Sequence, residues 1–110
     1  MSRVLPHAAA VVHAGGIGTC AEALRAGIPS VIIPFSFDQP DNAYRMRRLG
    51  VAEILSRRAI TVTNLANKLR QVLEDPSYRE KATALSAHID PAWDVRRAVE
   101  RMEQVIFTAR

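Results

Sequence analysis

Two short stretches in the first half of this chain carry groups that bind anions and hydroxyls. The first, His13-Ala-Gly-Gly-Ile-Gly-Thr19, leaves an apolar run (Ala8 to Val12) and enters an amphipathic one (Cys20 to Ala26). Glycines let backbone N–H groups approach an anion unobstructed, and a helix opening near Thr19 aims the positive end of its dipole at the same place. His13 adds a donor or acceptor beside it, which together makes a phosphate cradle. The second stretch, Asp38-Gln39, sets a carboxylate beside an amide, a pair suited to neutral hydroxyls. A diphosphate plus a polyol describes a nucleotide sugar.

Both stretches need elements that bring them together. Ala8 to Val12 is apolar without alternation, as expected of a parallel strand covered on both faces. Ala23, Leu24 and Ala26 suit a short helix from Thr19, stopped by Gly27 with Pro29 beyond it. Ser30 to Pro34 then reads as a second strand, which completes a right-handed βαβ unit. Asp38-Gln-Pro-Asp-Asn42 opens the next helix, running through Ala43, Met46 and Leu49 to Gly50, and Val51 to Leu55 reads as a short third strand. A helix beginning at Thr63 follows, with Leu65, Leu69, Val72 and Leu73 on one face. Asp75-Pro76 opens another, and Asp90-Pro91 a last one with Val95, Val99, Met102 and Ile106. The fold class expected is α/β, a short parallel sheet with flanking helices and a helical C-terminal tail, half of a doubly wound sheet. Open sheets of this kind bind ligands beyond the carboxyl ends of their strands, so the His13 loop and the Pro34 to Asp38 loop should lie side by side.

Composition narrows the alternatives. At 110 residues and 48% hydrophobic content the chain suits one domain. No apolar run approaches the ~20 residues of a membrane span, and Met1 to Ala10 lacks the apolar centre of a secretory signal, so a cytoplasmic protein is expected. Cys20 is the single cysteine, which excludes an internal disulfide and fits a small packed residue. The net charge of +4 draws on Arg45, Arg47, Arg48, Arg57 and Arg58, but only Tyr44 lies among them for base stacking, against a nucleic-acid binder.

The residues resemble a known family. Ser2-Arg-Val-Leu-Pro6, His13-Ala-Gly-Gly-Ile-Gly-Thr19, Ala23-Leu-Arg-Ala-Gly-Ile-Pro29, Pro34, Asp38-Gln-Pro-Asp-Asn-Ala43 and Leu49-Gly-Val51 agree in order and spacing with the donor-binding domain of family 1 nucleotide-sugar glycosyltransferases built from two Rossmann-like domains (GT-B), in their bacterial natural-product and glycolipid branch. The resemblance implies a Rossmann-like domain and transfer of a hexose from a UDP- or dTDP-sugar to an acceptor hydroxyl. It implies that His13, Gly15, Gly16, Gly18 and Thr19 hold the diphosphate, that Glu22, aligned by counting back from Pro29, binds ribose, and that Asp38 and Gln39 hold the transferred sugar. No cofactor and no metal are implied, because backbone dipoles and a donor side chain do the cation's electrostatic work at the leaving diphosphate. The catalytic base of such enzymes lies on the other, acceptor-binding domain, so no catalytic residue is expected in this chain. It is read as a single partial donor-binding domain over residues 1–110, with a donor-site βαβα core over about 1–55 and a helical tail over 56–110. On that reading the isolated chain is inactive or a weak nucleotide-diphosphate binder, and its partners are an N-terminal acceptor domain, a second chain, or a copy of itself paired through an exposed sheet edge.

Other readings stand beside these. Thr19-Cys-Ala-Glu22 fits a capping box in which Glu22 satisfies a helix-terminal N–H. Asp38 can serve as an N-cap alone, whereas Gln39 has no evident structural duty in a first turn. At the level of function, the alternatives are a subunit of a two-chain glycosyltransferase and a dinucleotide-binding oxidoreductase. The latter rests on Gly16-Ile-Gly18-Thr-Cys-Ala21, with Asp38 twenty residues after Gly18.

Overall fold

The computed structural model describes residues 9–88. Three parallel strands, β1 (Val11–His13), β2 (Ser30–Ile32) and β3 (Ala52–Ile54), lie in sequence order. The helices are α1 (Ile17–Ala26) and α2 (Gln39–Arg48) in the crossovers, then α3 (Val62–Glu74) and α4 (Pro76–Ser86), with a 3₁₀ turn at Arg57–Ala59. His13 pairs with Ile32 and Ile32 with Ile54, so the strands end level and the loops that follow them open on one edge of the sheet. The strands are shorter than the apolar runs that contain them.

Strand alternation divides the core in two. Ile32 and Ala52 face Cys20, Leu24, Met46 and Leu49 from α1 and α2, with Ala82 and Leu85 of α4 closing that side. Val31 faces the opposite way, onto Val72, Tyr78, Leu65 and Leu69. The sheet is therefore covered on both faces, which explains the unbroken apolar character of its strands. Gly27 ends α1 in the left-handed region (φ 69°), and the Ile28 N–H reaches back to the Ala23 carbonyl at 3.0 Å. A Cβ there would stand 3.4 Å from the Thr83 Cα, so α4 packs close against this turn.

Helix starts show where local chemistry outweighed apolar spacing. α3 begins at Val62, not Thr63, because the Thr61 Oγ1 accepts the Asn64 N–H at 3.0 Å and so makes Thr61 the cap. Asp75 caps α4 as expected, accepting the Ser77 N–H at 2.9 Å, which lowers its pKa. The helix expected from Asp90-Pro91 lies outside the described residues. Glu53 sits inside β3, 9% exposed, and accepts the Tyr78 hydroxyl at 2.6 Å, with Lys68 Nζ at 3.5 Å. Burial, then the Glu53 contact, pushes the Tyr78 phenol up to about 12, so it stays a donor. Among the described residues no helix is long and apolar enough to cross a membrane.

Candidate functional site

The two loops that leave the level ends of β1 and β2 touch. Gly15 takes a φ of 93°, and a Cβ there would stand 3.0 Å from the Ile32 Cγ2 and 3.1 Å from the Gln39 carbonyl oxygen. Only glycine lets the loops approach this closely. Asn42, one turn into α2, ties them: its Nδ2 donates to the Gly15 carbonyl at 3.0 Å and to the Asp38 Oδ2 at 3.2 Å. Strand order alone sets the loops side by side, whereas the place of Asn42 in the site is not evident from its type. The available signal was its (i, i+4) spacing from Asp38, which sets an amide against a carboxylate on a helix face.

On the first loop, the His13 Nδ1 accepts the Gly15 N–H at 3.0 Å. That bond fixes the neutral tautomer, with the remaining proton on Nε2. Burial pushes the imidazole down to about 4, so the ring is uncharged at neutral pH. Nε2 is buried and meets no hydrogen-bond partner among the described residues. An orphaned donor of this kind costs about 1–3 kcal/mol, which an anionic oxygen reaching Nε2 would recover.

α1 opens immediately after. Its N-cap is Gly16 in extended geometry, no side chain caps it, and its first turn holds no acid. The first-turn N–H groups of Ile17, Gly18 and Thr19 therefore have neither an intrahelical acceptor nor a capping side chain, and the positive end of the dipole is bare. A Cβ on Gly16 or Gly18 would meet nothing within 4 Å, so the surface over these two glycines is open. Thr19 is the third helical residue, not the start of the helix, because Gly16 supplies the extended cap three residues earlier. The capping box over Thr19 to Glu22 does not form. Glu22 stands a turn farther along α1, and its carboxylate accepts the Arg25 Nη1 at 2.9 Å.

On the second loop, Asp38 occupies the N-cap position of α2 without a capping bond; its carboxylate, exposed, accepts from Asn42. Gln39 has the structural duty the sequence did not show. Its Oε1 accepts the N–H groups of Phe35 at 3.0 Å and Ser36 at 3.2 Å. The two donors settle which end of the amide is oxygen and leave Nε2 to donate. Asp38 thus offers an acceptor and Gln39 a donor on neighbouring residues. Cys20 lies beneath, 1% exposed, its thiol pushed up to about 11 by burial with the Asp38 charge adding to it. It is a packing residue, as its sequence position indicated. His7 lies outside the described residues, and His88 is exposed beyond the end of α4.

Comparison with known proteins identifies the family. Residues 1–100 match the family described as "Erythromycin biosynthesis protein CIII-like, C-terminal domain". The chain belongs to this family. Its relatives include human UDP-glucuronosyltransferase 2B28, 39% identical over 104 residues that cover 93% of this chain and 20% of the relative. The O-mycaminosyltylonolide 6-deoxyallosyltransferase of Streptomyces fradiae is 36% identical over 108 residues, covering 94% and 25%. Among solved structures, glycosyltransferase VinC in complex with dTDP aligns with a TM-score of 0.77 and 29% identity, covering 97% of this chain and 27% of that one. The glycosyltransferase of kitacinnamycin aligns at 0.75 and 28%, covering 99% and 27%. The chain thus spans about a fifth to a quarter of the length of these relatives and corresponds to a C-terminal domain of the glycosyltransferase fold. The oxidoreductase reading is not favoured: these relatives are glycosyltransferases, and Asp38 opens α2 well past the tip of β2, where a ribose-binding acid would stand.

Proposed function

We propose that this chain forms the donor site of a glycosyltransferase that transfers a hexose from a UDP- or dTDP-sugar to an acceptor hydroxyl. One observation carries the proposal: Asn42 holds an uncapped helix N-terminus, with the buried Nε2 of His13 beside it, against a loop that offers a paired acceptor and donor. His13, Gly15, Gly16, Gly18 and Thr19 take the diphosphate, whose charge grows as the sugar leaves. Fixed backbone dipoles and a neutral N–H donor stabilise that charge without reorganising. Asp38 accepts from one sugar hydroxyl and Gln39 Nε2 donates to another. Glu22 reaches the ribose from α1 on giving up Arg25.

The site requires no metal for this work. Deprotonation of the acceptor belongs to a base outside this chain, on an acceptor domain of the same or a second polypeptide, so the 110 residues alone bind but do not transfer. The division into a donor-site core over 1–55 and a helical remainder over 56–110 belongs to the same proposal. So does pairing of two copies through the edge of β1 that meets no strand among the described residues; a monomeric mass by light scattering at micromolar concentration refutes that pairing. Equilibrium dialysis against UDP-glucose, dTDP-glucose, UMP and NADH tests the function. Saturable binding of a nucleoside diphosphate sugar, with UMP much weaker and NADH absent, is the expected result. Binding of NADH without either sugar nucleotide contradicts it.

A further inference from the structure

Phe37 is placed where no described residue packs on its ring. Its ring is 95% exposed, more than any other large apolar residue described. Its φ is 58°, and among the described residues no other non-glycine has a positive φ. The Gln39 N–H bonds the Ser36 carbonyl at 3.2 Å, and Asp38 follows Phe37 with φ −82° and ψ −4°. This is a tight turn with a positive φ at its first central residue, the geometry of type II′, a position that glycine, asparagine and aspartate dominate. A bulky side chain there is strained, and the ring gains no packing in return. Both costs would vanish with glycine.

The same turn is braced from the site. Gln39 Oε1 holds the N–H groups of the two residues before this turn's centre, Phe35 and Ser36, so the amide whose Nε2 faces the sugar is itself hooked to the loop carrying Phe37. Phe35, 50% exposed, lies with its ring 5.8 Å from the Arg57 guanidinium and flanks the turn. A sugar engaged by Asp38 and Gln39 therefore sits against this loop. A hexose is two-sided, with hydroxyls around its edge and C–H groups across its faces. Asp38 and Gln39 read only the edge.

We infer that Phe37 is a specificity-determining residue of the donor site, its ring covering a C–H face of the transferred sugar while Asp38 and Gln39 hold the hydroxyls. The inference rests on the proposed donor-site reading, and the contact it adds is apolar, between the ring and the sugar's C–H groups.

The test measures the affinity of the full chain for UDP and UDP-glucose, and for dTDP and dTDP-glucose, in the wild type and in Phe37→Gly and Phe37→Tyr. The readout is the affinity gained on adding the hexose. Phe37→Gly is expected to raise the thermal midpoint by about 3–8 °C as strain is relieved. Affinity for the bare diphosphate stays unchanged while the hexose gain falls about two- to tenfold. Phe37→Tyr, which keeps the ring, retains the gain. A hexose gain that is unaltered in Phe37→Gly overturns the inference and assigns the ring to another occupant, such as the acceptor; so does a wild type that gains nothing from the hexose. Failure of the wild type to bind any of the four nucleotides instead overturns the donor-site reading itself.

Discussion

Gly15 and Gly18 sit three residues apart on either side of the start of α1, and the structure separates what each is for. Gly18 is the second residue of α1, with a normal helical backbone and open space where a Cβ would stand. Glycine in a helix costs about 0.5–1 kcal/mol relative to alanine, and nothing in the described chain repays it. Gly18→Ala is therefore expected to stabilise the protein by about 0.5–1 kcal/mol, a rise of about 2–6 °C in the melting midpoint. The same methyl stands in the approach to the first-turn N–H groups. Loss of one or two charge-assisted hydrogen bonds, each about 1.5–3 kcal/mol, lowers nucleotide-diphosphate affinity at least about tenfold. Gly15→Ala behaves in the opposite way. At φ 93° it strains the backbone, and its Cβ meets the Gln39 carbonyl at 3.1 Å, a backbone atom held in the first turn of α2. Together these cost about 2–4 kcal/mol. Calorimetric melting and UDP titration of both variants check the pair. If Gly18→Ala is stabilised and binds UDP as well as the wild type, the bare surface over α1 does not serve an anion and the cradle is refuted.

Three further outcomes follow from the geometry. Because burial depresses His13 from 6.5 to about 4, the unfolded chain binds the extra proton first as pH falls. Stability from this residue is complete above pH 6.5 and lost towards pH 4, by at most about 3 kcal/mol and, allowing for solvent at the partly exposed ring, about 2. Urea unfolding of wild type and His13→Gln at pH 7 and pH 4 should show the difference between them shifting by that amount against the wild type; a constant difference refutes the neutral ring. Asn42→Asp removes the donor to Gly15 and sets a second carboxylate against Asp38, so it should lower stability by about 2 kcal/mol at pH 7 and recover in part at pH 4, measured by the same unfolding. Equal loss at both values contradicts the repulsion. Tyr78→Phe leaves the buried Glu53 without its 2.6 Å donor and should cost about 1.5–3 kcal/mol, while Tyr78→Phe with Glu53→Gln recovers part of it; a neutral single variant refutes the network's role.

Much of this architecture was legible in the sequence for physical reasons. Apolar runs without alternation identify strands covered on both faces, and Gly27 with Pro29, or Asp75 with Pro76, punctuate helices through backbone chemistry that depends on neighbours alone. The order of the phosphate loop and the hydroxyl loop followed from topology. Features that require a distant partner stayed hidden. Asn42 bonds a carbonyl 27 positions away, and Glu53 depends on Tyr78, 25 positions on. Gln39 was hidden although its partners are local, since nothing in its type says that its oxygen will close a loop instead of facing a ligand. The start of α1 was misplaced because Thr19 is a better capping residue by type than Gly16. Here the better cap was left inside the helix and the N-terminus bare, a local conflict of the kind expected where a ligand completes the structure.

On the proposed function, the bare N-terminus of α1 and the Asp38-Gln39 loop form one site for a nucleoside diphosphate sugar. The most direct measurement is the amide spectrum of the ¹⁵N-labelled chain during titration with UDP and then UDP-glucose, repeated with dTDP and dTDP-glucose. Saturable shifts are expected at Gly16, Ile17, Gly18 and Thr19 with either diphosphate, and added shifts at Asp38, the Gln39 side-chain amide and Asn42 only when the sugar is attached. Shifts confined to the arginines of α2, or a sugar that moves nothing in the second loop, would contradict it.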